Sequence, residues 1–287
     1  MLFKQLVDVL EQQRPNATSR PQDHPLQKLI GAFRVLAYGE CMDRGDEYVA
    51  LSKTTISLAT NRLVAFILRT YQDEYLRAPT LEDLRRIMRR NAERGLPGRI
   101  GSLDCSHWEW STCPTAHAGM YQDRHGKRTV VLETVCDEDM WIWHIYAGAP
   151  GSNNDLNVLA HSPLMTKVTQ GRWPPSGLSF SVNGTRFRMT YYLVDGIYPR
   201  NAFLMSPHAE PSTDKERAFN RLQEALRKDV ERLYAVLTRR FNVALYPARA
   251  HSVSNLICTD KAIAILHSMA TEQRRDSYVS RSRPGYG

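Results

Sequence analysis

The chain has 287 residues, enough for one large or two modest domains with a substantial core. Lys and Arg outnumber Asp and Glu by 38 to 30, which favours a polyanionic partner. No apolar run approaches the ~18 residues of a membrane span, and acidic residues come too early at the N-terminus for a signal peptide. Five cysteines without a Cys-x-x-Cys pair argue against a disulfide scaffold and for a reducing compartment.

In chain order, Leu2, Phe3, Leu6, Val9 and Leu10 predict a short amphipathic helix, and a loop rich in Pro, Asn and Ser follows from Pro15 to Pro25. Leu26–Tyr38, Asp43–Val49 and Ser52–Leu76 read as three helical segments with tight connections, Ser52 being a good N-cap. This pattern fits a helix-turn-helix whose third helix enters a DNA groove, or equally a helical subdomain that only packs on the rest. A basic bridge follows, with Arg77, Arg85, Arg86, Arg89, Arg90, Arg94 and Arg99 against Glu82, Asp83 and Glu93. A solvated helix face is the usual meaning of such a run, but Arg85-Arg-Ile-Met-Arg-Arg is dense enough for phosphate contacts.

From Arg99 the pattern changes to strands. Arg99–Asp104, Lys127–Cys136 and Trp141–Ala147 are β-branched and aromatic and are separated by polar turns. Gly151-Ser-Asn-Asn-Asp-Leu-Asn-Val-Leu feeds a short capped helix, and Asn183-Gly184 signals a hairpin between Ser179–Val182 and Thr185–Met189. Tyr191–Asp195 is a further strand. A long helix runs from about Asp214 to Phe241, with Phe219, Leu222, Leu226, Val230, Leu233, Leu237 and Phe241 at steps of three and four. Three strands, a helix, a fourth strand and a long helix is the order of an RNase H-like α/β fold, a mixed sheet flanked by helices. In that fold the first and fourth strands are neighbours.

Asp104 and Asp195 each close a buried strand, and Glu231 lies in the long helix. Three carboxylates brought together repel one another unless divalent cations neutralise them. Mg²⁺ prefers oxygen ligands and keeps substrate phosphates in its shell, and a pair of such ions suits in-line phosphodiester displacement. Glu224 precedes Glu231 by two helical turns and points the same way, so helical phase does not choose between them.

At this point whole motifs become recognisable. Gly101-Ser-Leu-Asp-Cys-Ser-His-Trp-Glu-Trp, Cys113-Pro-Thr-Ala, Trp141-Ile-Trp-His, Pro150-Gly-Ser-Asn-Asn-Asp-Leu-Asn-Val-Leu and Tyr192-Leu-Val-Asp-Gly-Ile-Tyr-Pro stand in order along the chain. Together they resemble the PIF/Harbinger transposases, in particular the plant transposon protein group, from about Leu26 to Glu272. The resemblance implies a helix-turn-helix-like region at 1–76, the basic bridge at 77–98, an RNase H-like DDE nuclease domain at 99–272 and a basic, disordered tail at 273–287. It implies that Asp104, Asp195 and Glu231 are both the catalytic triad and the metal ligands, with Mg²⁺ as cofactor and Mn²⁺ able to substitute. Such proteins cut transposon terminal repeats and join them to target DNA. The implied partners are DNA, a Myb-like protein and a second copy of the chain, and the implied location is the nucleus.

The sequence departs from the family after the glutamate, where Tyr234-Ala235 replaces an aromatic-glycine pair. A catalytically silent, domesticated DNA-binding or scaffold protein is the alternative reading. Cys105, His107, Cys113 and His117 superficially suggest zinc. Cys105 and His107 lie on a strand, however, and the His-Trp and Cys-Pro pairs belong to the family motifs. Asp155 reads as a cap of its short helix or as a group that shapes the metal site indirectly. Trp108, Trp110, Trp141 and Trp143 read as packing residues of the sheet.

Overall fold

The computed structural model describes residues 24–42 and 49–281. The expected helices over Leu2–Leu10 and Asp43–Val49 fall on or overlap positions outside the described residues. Helix α1, Pro25–Tyr38, starts with His24 and Gln27 in a reciprocal capping box and with Pro at its first position, and it ends at left-handed Gly39. Helix α2, Lys53–Tyr75, is capped by the Ser52 hydroxyl as expected. Helix α3, Leu81–Glu93, has a Thr80–Asp83 capping box and a narrow buried stripe of Leu84, Ile87, Met88 and Asn91.

The sheet follows. β1 spans Arg99–Glu109, β2 Thr129–Cys136 and β3 Ile142–Pro150. A single-turn helix α4, Ala118–Tyr121, lies between β1 and β2. Two short helices, α5 (Asp155–His161) and α6 (Pro163–Thr169), come next. The hairpin β4 (Phe180–Val182) and β5 (Thr185–Phe187) turns at Asn183-Gly184, both with positive φ as a tight hairpin turn requires. It forms its own two-stranded sheet. Strands β6 (Tyr191–Leu193) and β7 (Leu204–Met205) complete the main sheet in the order β3-β2-β1-β6-β7. The first three are antiparallel, and β6 runs parallel to β1 and to β7. Adjacency of β1 and β6 was expected; β7 was not.

Helix α7, Asp214–Arg240, and helix α8, Val253–Arg281, close the chain. The alternation of β6 shows the layers. Tyr191 and Leu193 pack with Leu226 of α7, while Tyr192 packs with Leu84 of α3, Leu159 of α5 and Leu164 of α6. One face of the sheet therefore carries α7 and α8, and the other carries α3, α5 and α6. The sequence reading placed a disordered tail from residue 273. Instead α8 continues to Arg281, and residues 282–287 lie outside the described residues.

Helices α1 and α2 keep a small cluster of their own, Val35, Val49, Leu51 and Ile56, but most of their buried face joins the body. Leu29, Leu36, Leu63, Phe66 and Ile67 share one buried cluster with Trp141 and Trp143 next to β3 and with Ala262 and Ile265 of α8.

Candidate active site

The site is assembled on β1 and held by a buried lock between β1 and α7. Arg99, at the first position of β1, is wholly buried. Its guanidinium donates to Asp229 Oδ2 at 2.8 Å, Asn91 Oδ1 at 2.6 Å, Ser102 Oγ at 2.9 Å and the Leu226 carbonyl at 3.1 Å. Arg94 adds two hydrogen bonds to Asp229, at 2.8 and 3.1 Å, and Arg232 a further one. Burial pushes the Asp229 carboxyl up, but the bonds from Arg94 and Arg99 outweigh it and leave the group below its ordinary value. Asp229 thus stays charged inside the protein, tying α3, β1 and α7 together.

Two residues beyond this lock, α7 presents Glu231, and β1 presents Asp104. Tyr234 donates its hydroxyl to the Asp104 carbonyl at 3.0 Å, fixing the strand backbone against the helix at that position. Asp195 stands two residues past the end of β6, and its Oδ1 accepts the Ile197 N–H at 3.0 Å in a tight turn. Asp155 opens α5, where Asn154 is the cap, so capping is not its role. Burial raises the Asp104 carboxyl to about 6; the Cys105 N–H and Arg227 pull it down, and Asp195 and Asp155 push it up. Asp155 is raised too, by burial first and then by Asp195, against His107 and Arg124. These three aspartates therefore feel one another's charge. Glu231 joins them through a cation. Arg227 Nη2 lies 2.6 Å from Glu231 Oε1, and its Nη1 lies 3.9 Å from Asp104 Oδ2. Glu224 is exposed and makes no ion pair among the described residues.

The fit to a divalent cation divides by criterion. The donors are hard carboxylate oxygens, and Asp104 and Asp155 are raised first by burial and then by neighbouring carboxylates. Among the described residues no three His, Cys, Asp or Glu side chains already stand as a ligand set. The chemistry fits, and the Arg227 guanidinium stands between two of the acids. For zinc nothing converges among the described residues: the Cys105 thiol lies 3.5 Å from the Tyr198 hydroxyl, Cys113 is buried beside Trp108 and Trp110, and His107 pairs with the Thr129 hydroxyl at 2.9 Å.

The basic bridge is largely consumed internally. Arg77 pairs with Asp83, and Arg86 and Arg90 reach the acidic turn Asp137-Glu138-Asp139 between β2 and β3. Arg94 and Arg99 belong to the lock. Arg85 and Arg89 are exposed and make no ion pair among the described residues, so any phosphate-facing role rests on them. The tryptophans pack as expected. Trp108 and Trp110 donate to the Tyr246 and Ala250 carbonyls, while Trp141 and Trp143 sit in the core shared with α2. Of the two readings of Asp155, the cap falls to Asn154 and its charge beside Asp104 remains; Arg227 and the Arg99–Asp229 lock have no counterpart among the sequence expectations. The one available signal was Arg227 standing four residues before Glu231.

A mixed five-stranded sheet flanked by helices, with acidic residues gathered around its central strand, defines an α/β protein with a carboxylate-rich site. Residues 73–278 match the plant transposon protein family, and the chain belongs to that family. The human protein named "Putative nuclease HARBI1" is 24% identical over 272 residues, covering 93% of this chain and 73% of the human one. Its mouse counterpart is 27% identical over 188 residues, 65% of this chain and 50% of its own length. The Arabidopsis thaliana "Protein ALP1-like" is 22% identical over 242 residues, 80% of this chain and 57% of its own. No solved structure matches the chain.

Proposed function

We propose that the chain is a DNA endonuclease and strand transferase of transposase type, with an RNase H-like core and Asp104, Asp195 and Glu231 as its catalytic carboxylates. The observation that carries this reading is the Arg227 bridge between Glu231 of α7 and Asp104 of β1, with Asp195 and Asp155 near enough to act on the Asp104 carboxyl. A protein that belongs to a transposon family and has relatives named as nucleases uses such a group for phosphodiester chemistry. Adjacent β1 and β6 fit the RNase H-like order.

Asp104 and Asp195 would hold Mg²⁺ or Mn²⁺, with Glu231 completing the set and Asp155 adding negative charge at the rim. Bound divalent ions would neutralise the acids, activate water or a DNA 3′-hydroxyl and stabilise the leaving oxygen. The chain's own residues then act by position. Tyr234 keeps Asp104 in register with α7, Arg99 keeps α7 on β1, and the Asp195 turn fixes the second carboxylate. DNA is the proposed substrate, and a Myb-like partner, a second copy and a nuclear location follow from the same reading.

Nicking of labelled terminal-repeat duplex by the purified chain with Mg²⁺, Mn²⁺ or EDTA is the test. Asp104→Ala, Asp195→Asn and Glu231→Gln should each lose cleavage while keeping DNA binding, and Glu224→Gln should cost little. Sustained cleavage by any of the first three removes that residue from the triad. Binding without nicking in the wild type points to the silent scaffold.

A further inference from the structure

Arg227 contributes a charge that the chemistry above does not use. It lies on α7 one turn before Glu231, with a side chain only 17% exposed. Its guanidinium touches Glu231 on one side and approaches Asp104 on the other. Helix support does not explain the pair, because a base placed four residues before an acid is the weaker order for an i,i+4 contact. Nor is a guanidinium a neutral spectator here. It faces the carboxylate of β1 and the carboxylate of α7, and Asp195 and Asp155 add negative charge close by. A divalent ion approaching the same oxygens meets a like charge within a few ångströms, where repulsion is strong.

We propose that Arg227 is an internal counter-ion: it neutralises Asp104 and Glu231 in the cation-free protein and must swing away before these two carboxylates ligate a divalent ion. The proposal rests on the metal-site reading given above. Arg227 is then a positioning residue that sets the cation concentration at which the site assembles. It also offsets the mutual repulsion of the four acidic groups. Once released, the guanidinium remains at the edge of the acidic group, free to take a phosphate oxygen by a charge-assisted bond.

Direct titration of Mn²⁺ into the full chain, following free Mn²⁺ by electron paramagnetic resonance, tests this without any turnover. Arg227→Met should bind Mn²⁺ about tenfold or more tightly than wild type, because one positive charge a few ångströms from the ion has been removed. Arg227→Gln supplies the same comparison if the methionine variant misfolds, as judged by circular dichroism. Arg227→Lys, which keeps the charge, should stay close to wild type. Equal or weaker binding by the neutral variants, with binding still abolished by Asp104→Asn, overturns the counter-ion and leaves the metal site standing. Absence of Mn²⁺ binding from the folded wild type and both neutral variants overturns the metal-site reading itself, and the counter-ion with it.

Discussion

Asp260 shows at the scale of one residue how burial alone sets a pH dependence. Its Oδ2 has no hydrogen-bond partner among the described residues, and burial pushes the carboxyl from 3.8 up to about 7, with Lys261 opposing. The folded state therefore holds the proton more tightly than the unfolded chain, and stability falls as pH rises from about 4 through about 7. Asp260→Asn should raise the melting temperature at pH 8 and leave it nearly unchanged at pH 4; an equal shift at both values would mean that ionisation is not the cause. The remaining phosphate-facing role of the basic bridge is also a matter of single residues. Neutralising Arg85 and Arg89 together should flatten the salt dependence of duplex binding by about 0.9 log unit per lost contact, whereas neutralising Arg86 and Arg90 should lower stability by breaking pairs to the β2–β3 turn. An unchanged salt slope for the Arg85 and Arg89 variant returns both to the status of solvated charges. Asp104 and Asp195 stand out in the sequence because each closes a local apolar run, although β1 itself continues past Asp104 and β6 stops two residues before Asp195. Asp155 was legible only as one of two alternatives, and Arg227 not at all, since an arginine on a helix is ordinary until the fold brings it beside another charge.

Among the elements, the contact between β1 and α7 is the one on which the site depends. Arg99 satisfies Asp229, Asn91, Ser102 and the Leu226 carbonyl at once. Arg99→Met leaves Asp229 buried with only Arg94 and Arg232, and losing one partner of a buried pair costs about 3–5 kcal/mol. Urea denaturation should show a loss of this size; a loss below about 1 kcal/mol would mean that Arg94 suffices. Such elements were unevenly readable. The apolar steps from Phe219 to Phe241 marked α7 to within a residue, and Asn183-Gly184 marked its hairpin. β1 runs five residues past Asp104, to Glu109, because Ser106, His107, Trp108 and Glu109 still pair with β2, a partnership invisible in a local pattern. Helix α8 was missed as an element for the opposite reason. From Asp260 to Ser268 it is buried on nearly every side, so no polar face alternates with an apolar one.

For the molecule as a whole, the question is whether the N-terminal helices are a module or part of the body. Their cluster with Trp141, Trp143 and α8 makes them part of the body. Ile67→Ala should therefore cost about 2–5 kcal/mol and shift one cooperative transition for the entire chain. Calorimetry that resolves two transitions, with only the smaller one displaced, would instead make α1 and α2 an independently folding module. Sequence alone left this open, because a short-turn helical pattern reads the same in a free-standing DNA reader and in a packed flank.

The parallel pairing of β6 with β1 has a consequence in time. Arg99 meets Tyr191 and Ser102 meets Leu193 only after two further strands, α5, α6 and the hairpin have been laid down. Pairings this distant in sequence must overcome loop-closure entropy before any contact rewards them, so they form late. A chain synthesised only through β3 therefore carries Asp104 without Asp195 or Glu231, so the acidic group depends on the later half of the sequence.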